Sequence, residues 1–161
     1  MIFNNKLKLI ILCFFGFNVP HILAQSNSEP TNEKRLMASM TQITSALSIQ
    51  RGINSDVACA AKKYDPISID EYVNFIASMD EKKDKRIRSK SEKDEMRKML
   101  LGLVDMNIPG KGVMWQATYD LMLKNTKNFS NISGEALCDS LNSSAIGLYQ
   151  KSMDNLKLIK Q

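Results

Sequence analysis

Residues 33–52 read EKRLMASMTQITSALSIQRG, and their apolar members decide the class of the fold. Leu36, Met40, Ile43 and Leu47 recur every three or four positions, the spacing that lines one face of an α-helix. Gly52 stands where such a helix would stop. The same spacing returns along the rest of the chain. A short second helix is expected from Asn54 or Ser55 to Tyr64, stopped at Asp65-Pro66 because the residue before proline avoids the α region. Ser68 and Glu71 match a capping box, and Ile69, Tyr72, Val73, Ile76 and Met79 form the next stripe. A further helix runs through Met96, Met99, Leu100 and Leu103, with Ser89 or Ser91 as its cap. Another spans Val113 to about Lys124 with Trp115, Tyr119 and Met122 on one side, and the polar stretch TKNFSNIS follows as a loop. Ser133 can then cap a long last helix through Leu137, Cys138, Leu141, Ala145, Leu148, Tyr149 and Leu156. Strand-like alternation is missing, so the expected class is all-α, a small bundle of five or six helices.

Toward the N-terminus the pattern changes. Residues 1–24, MIFNNKLKLIILCFFGFNVPHILA, place Lys6 and Lys8 before an apolar run from Leu9 to Val19. This is the layout of a secretory signal peptide ending at Ala24. The run is shorter than the roughly 20 residues that cross a bilayer. Leu12 before Cys13 argues against a lipoprotein site, which needs a small residue there. Residues 25–32 read as a flexible leader and 33–161 as a single helical domain.

The full chain has 161 residues, 43% hydrophobic and 24% charged, with three cysteines and one histidine. Removal of the signal peptide takes His21 and Cys13 with it. The exported chain then has no histidine, which excludes Ser-His-Asp and Cys-His catalysis and the zinc sites that use imidazole. Cys59 and Cys138 remain, too few for a four-thiolate metal site and too far apart for a C-x-x-C redox centre. Two readings are open for them: one disulfide, favoured by an oxidising compartment, or two buried free thiols. The disulfide would tie the short second helix to the start of the last one. No metal or cofactor is expected. Most acidic residues fall on polar helix faces or in first turns; Asp105 and Asp120, flanking a glycine-rich loop, are the least unreasonable acid–base pair. No catalytic residue is assigned, and the chain is read as a non-enzyme.

Two features suggest contact with a partner. The loop Asn107-Ile108-Pro109-Gly110-Lys111-Gly112, with Trp115 just after it, fails the spacing of a phosphate-binding loop. It reads either as a helix–helix connection or as a recognition element built from Asn107, Pro109, Gly110, Lys111, Gly112 and Trp115. The stretch Asp80–Lys98 carries nine basic and six acidic residues. Its surplus is a candidate basic docking surface, Lys82, Lys83, Lys85, Arg86, Arg88 and Lys90, or else a salt-bridged, solvated helix face. Mixed signs and missing aromatic residues speak against nucleic acid. The stripe methionines serve as core filler or as an adaptable groove. Asn128, Asn131 and Asn142 each begin an Asn-x-Ser sequence.

An exported helical domain of this kind is expected to bind another protein, with an acidic contact surface on that partner, and a homodimer is compatible with it. The expected setting is the periplasm, with secretion to the exterior as the alternative. The first expectation is an inhibitor or immunity-type protein that occludes a cell-wall-targeting toxin or enzyme. The second is a structural or adaptor subunit of an envelope secretion or conjugation machine, and the third is a secreted effector acting on a host.

Overall fold

Thr31 begins the first helix: its side chain accepts a hydrogen bond from the Lys34 N–H at 3.3 Å, satisfying one of the orphan donors of the first turn. In the computed structural model, which describes residues 29–108 and 112–159, this helix is α1, Asn32–Ser55. It is followed by α2 (Ile69–Asp84), α3 (Lys90–Val104), a pair of two-residue strands, α4 (Met114–Ser130) and α5 (Gly134–Lys157). The all-α bundle is therefore observed, with five helices among the described residues. The signal peptide expected at residues 1–24, and the leader up to residue 28, lie outside the described residues.

Burial on α1 goes well beyond the stripe that identified it. Ser39, Ala46, Ser48 and Ile49 are buried alongside Met40 and Ile43, because α1 is packed by α3, α4 and α5 from different sides. Two of its buried hydroxyls are satisfied within the helix: Thr44 donates to the Met40 carbonyl at 2.9 Å and Ser48 to the Thr44 carbonyl at 2.7 Å.

Two apolar clusters divide the length of α1. Met40 and Ile43 join Tyr72, Val73, Leu100, Met153 and Leu156. Ile49 and Ile53 join Tyr119, Leu137, Leu141, Ala145 and the two cysteines. Early residues of α1 thus meet late residues of α5, and late ones meet early ones, so the two longest helices are antiparallel. Polar contacts tie the first cluster together. Ser152 donates to the Ser39 carbonyl at 2.8 Å, so its oxygen accepts from the Ser39 hydroxyl at 2.9 Å. Tyr72 is then left to donate to Ser39 at 3.1 Å. Burial pushes the Tyr72 hydroxyl up to about 12.

Several sequence expectations are corrected. Gly52 does not end α1, which continues to Ser55. Its missing Cβ leaves room for Tyr119 instead. The short helix expected from Asn54 or Ser55 to Tyr64 is absent; residues 57–61 form turns and 62–68 run without regular structure. The end of that segment is held by Gln50, buried on α1, whose amide donates to the Asp65 carbonyl at 2.9 Å and accepts from the Ile67 N–H at 2.8 Å. At the head of α2, Ser68 accepts from the Glu71 N–H at 3.2 Å, but the Glu71 carboxylate takes the Tyr149 hydroxyl at 2.5 Å. Only half of the capping contact is therefore made there. The complete capping box belongs to Ser89 and Glu92 on α3. Helix α4 runs past Lys124 to Ser130, taking in much of the expected loop, and closes on Asn131 in the left-handed region (φ 47°). Ser133 makes no capping bond with its side chain, and Gly134 starts α5 with φ 58°.

The disulfide joins Cys59 to Cys138, both buried, with 5.7 Å between Cα atoms. It ties the turn after α1, rather than a helix, to the first turns of α5.

Candidate recognition surface

Helix α3 stops at Val104, where the Asp105 N–H donates to the Leu101 carbonyl at 2.9 Å. The chain next forms a short antiparallel ladder, β1 (Asn107–Ile108) with β2 (Gly112–Val113), in the register Asn107 with Val113 and Ile108 with Gly112. One further bond, from the Met114 N–H to the Met106 carbonyl at 2.8 Å, continues the pairing to the start of α4. The expected helix–helix connection thus has paired ends, a local strand pairing absent from the sequence expectation. Pro109, Gly110 and Lys111 connect the two strands and lie outside the described residues. Trp115 follows β2 in the first turn of α4 and is half-buried. The base of the loop is tied to the central helix by an ion pair between Arg51 of α1 and Asp105.

Asp105 and Asp120, the carboxylates weighed as an acid–base pair, have separate partners. Arg51 holds Asp105, while Asp120 accepts from the Gln116 amide at 2.8 Å.

The charged stretch resolves into a braced corner between α2 and α3. Arg88, whose side chain is only 12% exposed, reaches Asp84 at 2.6 Å, Asp80 at 3.3 Å and Glu92 at 3.3 Å. Arg86 reaches Glu92 at 2.5 Å. Glu92 also accepts from the Ser89 N–H, and that bond, with the Arg86 pair, holds its carboxyl down at about 2. Farther along α3, Arg97 pairs with Asp94 and reaches across to Asp70 on α2. The arginines of the candidate docking surface are therefore occupied by carboxylates of the same corner. Lys82, Lys85 and Lys90 are exposed, and the Lys83 side chain lies outside the described residues.

A third polar group was not anticipated. Lys62 lies 2.7 Å from Asp139 and 3.7 Å from Glu135, and Tyr64 donates to Asp139 at 2.9 Å. The bond from Lys62 lowers the Asp139 carboxyl, and the same bond raises the Lys62 ammonium. The signal for it was present: Asp139 follows Cys138 and Lys62 lies three residues after Cys59, so the disulfide brings the two together. Tyr119 also donates to Asp56 at 2.6 Å, closing the end of α1.

Of the stripe methionines Met40 is buried, and Met79, Met96, Met99 and Met122 are partly buried against the two clusters. Met40, Met96 and Met99 line an apolar cavity of about 30 Å³ with Leu36, Tyr72 and Leu100, room for little more than one water. Among the Asn-x-Ser sequences, Asn128 and Asn131 are exposed, whereas the Asn142 side-chain oxygen is buried on α5. No group of three or more His, Cys, Asp or Glu among the described residues is placed to hold a metal ion. No helix among them is long and apolar enough to cross a membrane. Compared with known proteins, the chain matches no family model, no curated protein and no solved structure.

Proposed function

We propose that this chain is an exported, periplasmic binding protein of the inhibitor or immunity type, which occludes a cell-wall-targeting toxin or enzyme. The observation that carries the reading is the root of the 107–113 loop. A connection between consecutive helices needs no ladder, yet here both arms pair in register and Arg51 ties the base to the most buried helix of the bundle. A ladder at the root of the loop reduces the ordering cost of a contact made there, and the half-buried Trp115 in the first turn of α4 can serve as an aromatic anchor. The buried Cys59–Cys138 disulfide and the signal-peptide pattern support export.

The test is enzymatic and stoichiometric. The exported chain, purified from the periplasm and used as bait on periplasmic and secreted proteins, is expected to retain a peptidoglycan-degrading enzyme and to block its digestion of isolated cell wall at one-to-one stoichiometry. Lys111→Glu should weaken that complex about tenfold or more without moving the melting temperature. A retained partner that degrades cell wall equally well in the presence of the chain overturns the reading, as does wild-type affinity in the Lys111→Glu variant for the placement of the site. Co-purification with a membrane-embedded assembly instead would make the chain a subunit of an envelope machine.

A further inference from the structure

The corner between α2 and α3 carries a feature that recognition through the 107–113 loop does not use. Lys85 closes α2 in the left-handed region (φ 52°), and the chain runs without regular structure to the Ser89 cap. Arg86 and Arg88 both turn to Glu92, and the Arg88 N–H donates to Glu81 at 2.9 Å. Ile87, between the two arginines, is 83% exposed. Lys82, Lys85 and Lys90, within a few residues of it, are exposed and form no ion pair among the described residues. The corner thus pairs its arginines with its own carboxylates and exposes an aliphatic side chain, Ile87, close in sequence to exposed lysines that make no such pair.

We propose that this corner docks the protein peripherally on an anionic phospholipid surface. Ile87 enters the boundary between headgroups and acyl chains, and Lys82, Lys85 and Lys90 meet the lipid phosphates. Charge complementarity supplies the partner's sign, and the shape of the corner supplies its class. An acidic protein would satisfy the lysines but would need a fitted pocket for Ile87, whereas a lipid interface accepts a single convex aliphatic side chain without one. Docking through one short tip and a few lysines is weak and reversible, falling steeply with salt.

Vesicle flotation of the purified exported chain tests this. Binding is expected to vesicles of equal phosphatidylglycerol and phosphatidylcholine at low salt, and to be lost on pure phosphatidylcholine or at high salt. Each lysine changed to glutamine should weaken binding about fivefold, the equivalent of roughly 1 kcal/mol per cation at a membrane surface. Ile87→Ser should weaken vesicle binding while leaving any association with soluble polyglutamate unchanged. Circular dichroism checks that each variant is folded; these surface positions are expected to leave it so. Failure of the wild-type chain to float with the anionic vesicles overturns the proposal. So does vesicle binding that is indifferent to Ile87 and fully displaced by polyglutamate, which would identify an acidic polypeptide site instead.

Discussion

The ring of Tyr119 on α4 fills the space that a side chain at Gly52 on α1 would occupy: a Cβ built at position 52 would lie 2.1 Å from Tyr119 Cγ and 2.2 Å from Cδ2. The same tyrosine donates to Asp56 at the end of α1, so one residue both covers the helix and closes its last turn. Burial and the bond to the Asp56 carboxylate both raise the Tyr119 hydroxyl.

Gly52→Ala is therefore expected to push α1 and α4 apart. Overpacking of this kind costs on the order of 3 kcal/mol. The melting temperature should fall by about 10 °C, scaled for a domain of this size. An unchanged melting temperature in Gly52→Ala would show that the helices do not meet this closely.

Gln50 acts as a substitute peptide for the segment that follows the disulfide turn, taking one donor and one acceptor of its backbone. Gln50→Leu keeps the bulk but leaves the Asp65 carbonyl and the Ile67 N–H without these partners, a loss of about 2 to 4 kcal/mol. Hydrogen exchange should reveal it locally, with the Ile67 amide exchanging much faster in the variant. Equal protection would mean that solvent or another group holds that amide.

The cap of α3 sets an acid-side dependence of stability. The Ser89 N–H and Arg86 hold the folded Glu92 carboxyl at about 2, below its ordinary value of 4.5. A carboxyl depressed on folding stabilises the protein above its unfolded value, and that contribution is lost as the pH falls from about 4.5 toward 2. Chemical denaturation across this range should show a steep loss in the wild-type chain and a shallower one in Glu92→Gln, which at neutral pH starts less stable. Parallel slopes in the two proteins would remove Glu92 from the account.

Joining Cys59 to Cys138 closes a loop with a sequence separation of 79 residues. In the chain-entropy model this stabilises the fold by about 4 kcal/mol. Replacing both cysteines with alanine should cost about that much. Non-reducing mass spectrometry of the purified chain should give a crosslinked peptide containing both residues. Recovery of two free thiols from a protein of undiminished stability would contradict the pairing.

The parts of this fold that are local were legible from the sequence. Ser89, one of the two serines offered as the cap of α3, does cap it, because a cap is built within one turn. The apolar spacings through Met40, Tyr72, Leu100 and Leu141 located the helices for the same reason. The box matched by Ser68 and Glu71, by contrast, is only half made because Glu71 is drawn to Tyr149 on another helix. The 54–64 segment has a helical composition but takes another course, because its groups meet partners distant in sequence: Cys59 is bonded to Cys138, and Lys62 and Tyr64 both reach Asp139. The residues around Thr126 looked like loop because they are polar, yet Thr126 is buried and its hydroxyl bonds the Met122 carbonyl at 2.8 Å inside α4. For the site, the sequence singled out the 107–112 loop and the basic stretch. It could not foresee the ladder between the loop's ends, nor that Arg86 and Arg88 would both pair with Glu92 while Ile87 stays exposed.

By itself, then, the amino-acid order determined an all-α chain and the positions of most of its helices, because periodicity and capping are properties of neighbouring residues. Only the tertiary structure decided that α1 would be buried on several sides, that Gly52 would admit a tyrosine rather than end a helix, and that the charges of the 80–98 stretch would be divided between internal ion pairs and exposed lysines. Those outcomes depend on which side chains meet across helices, and short-range spacing carries no information about such meetings.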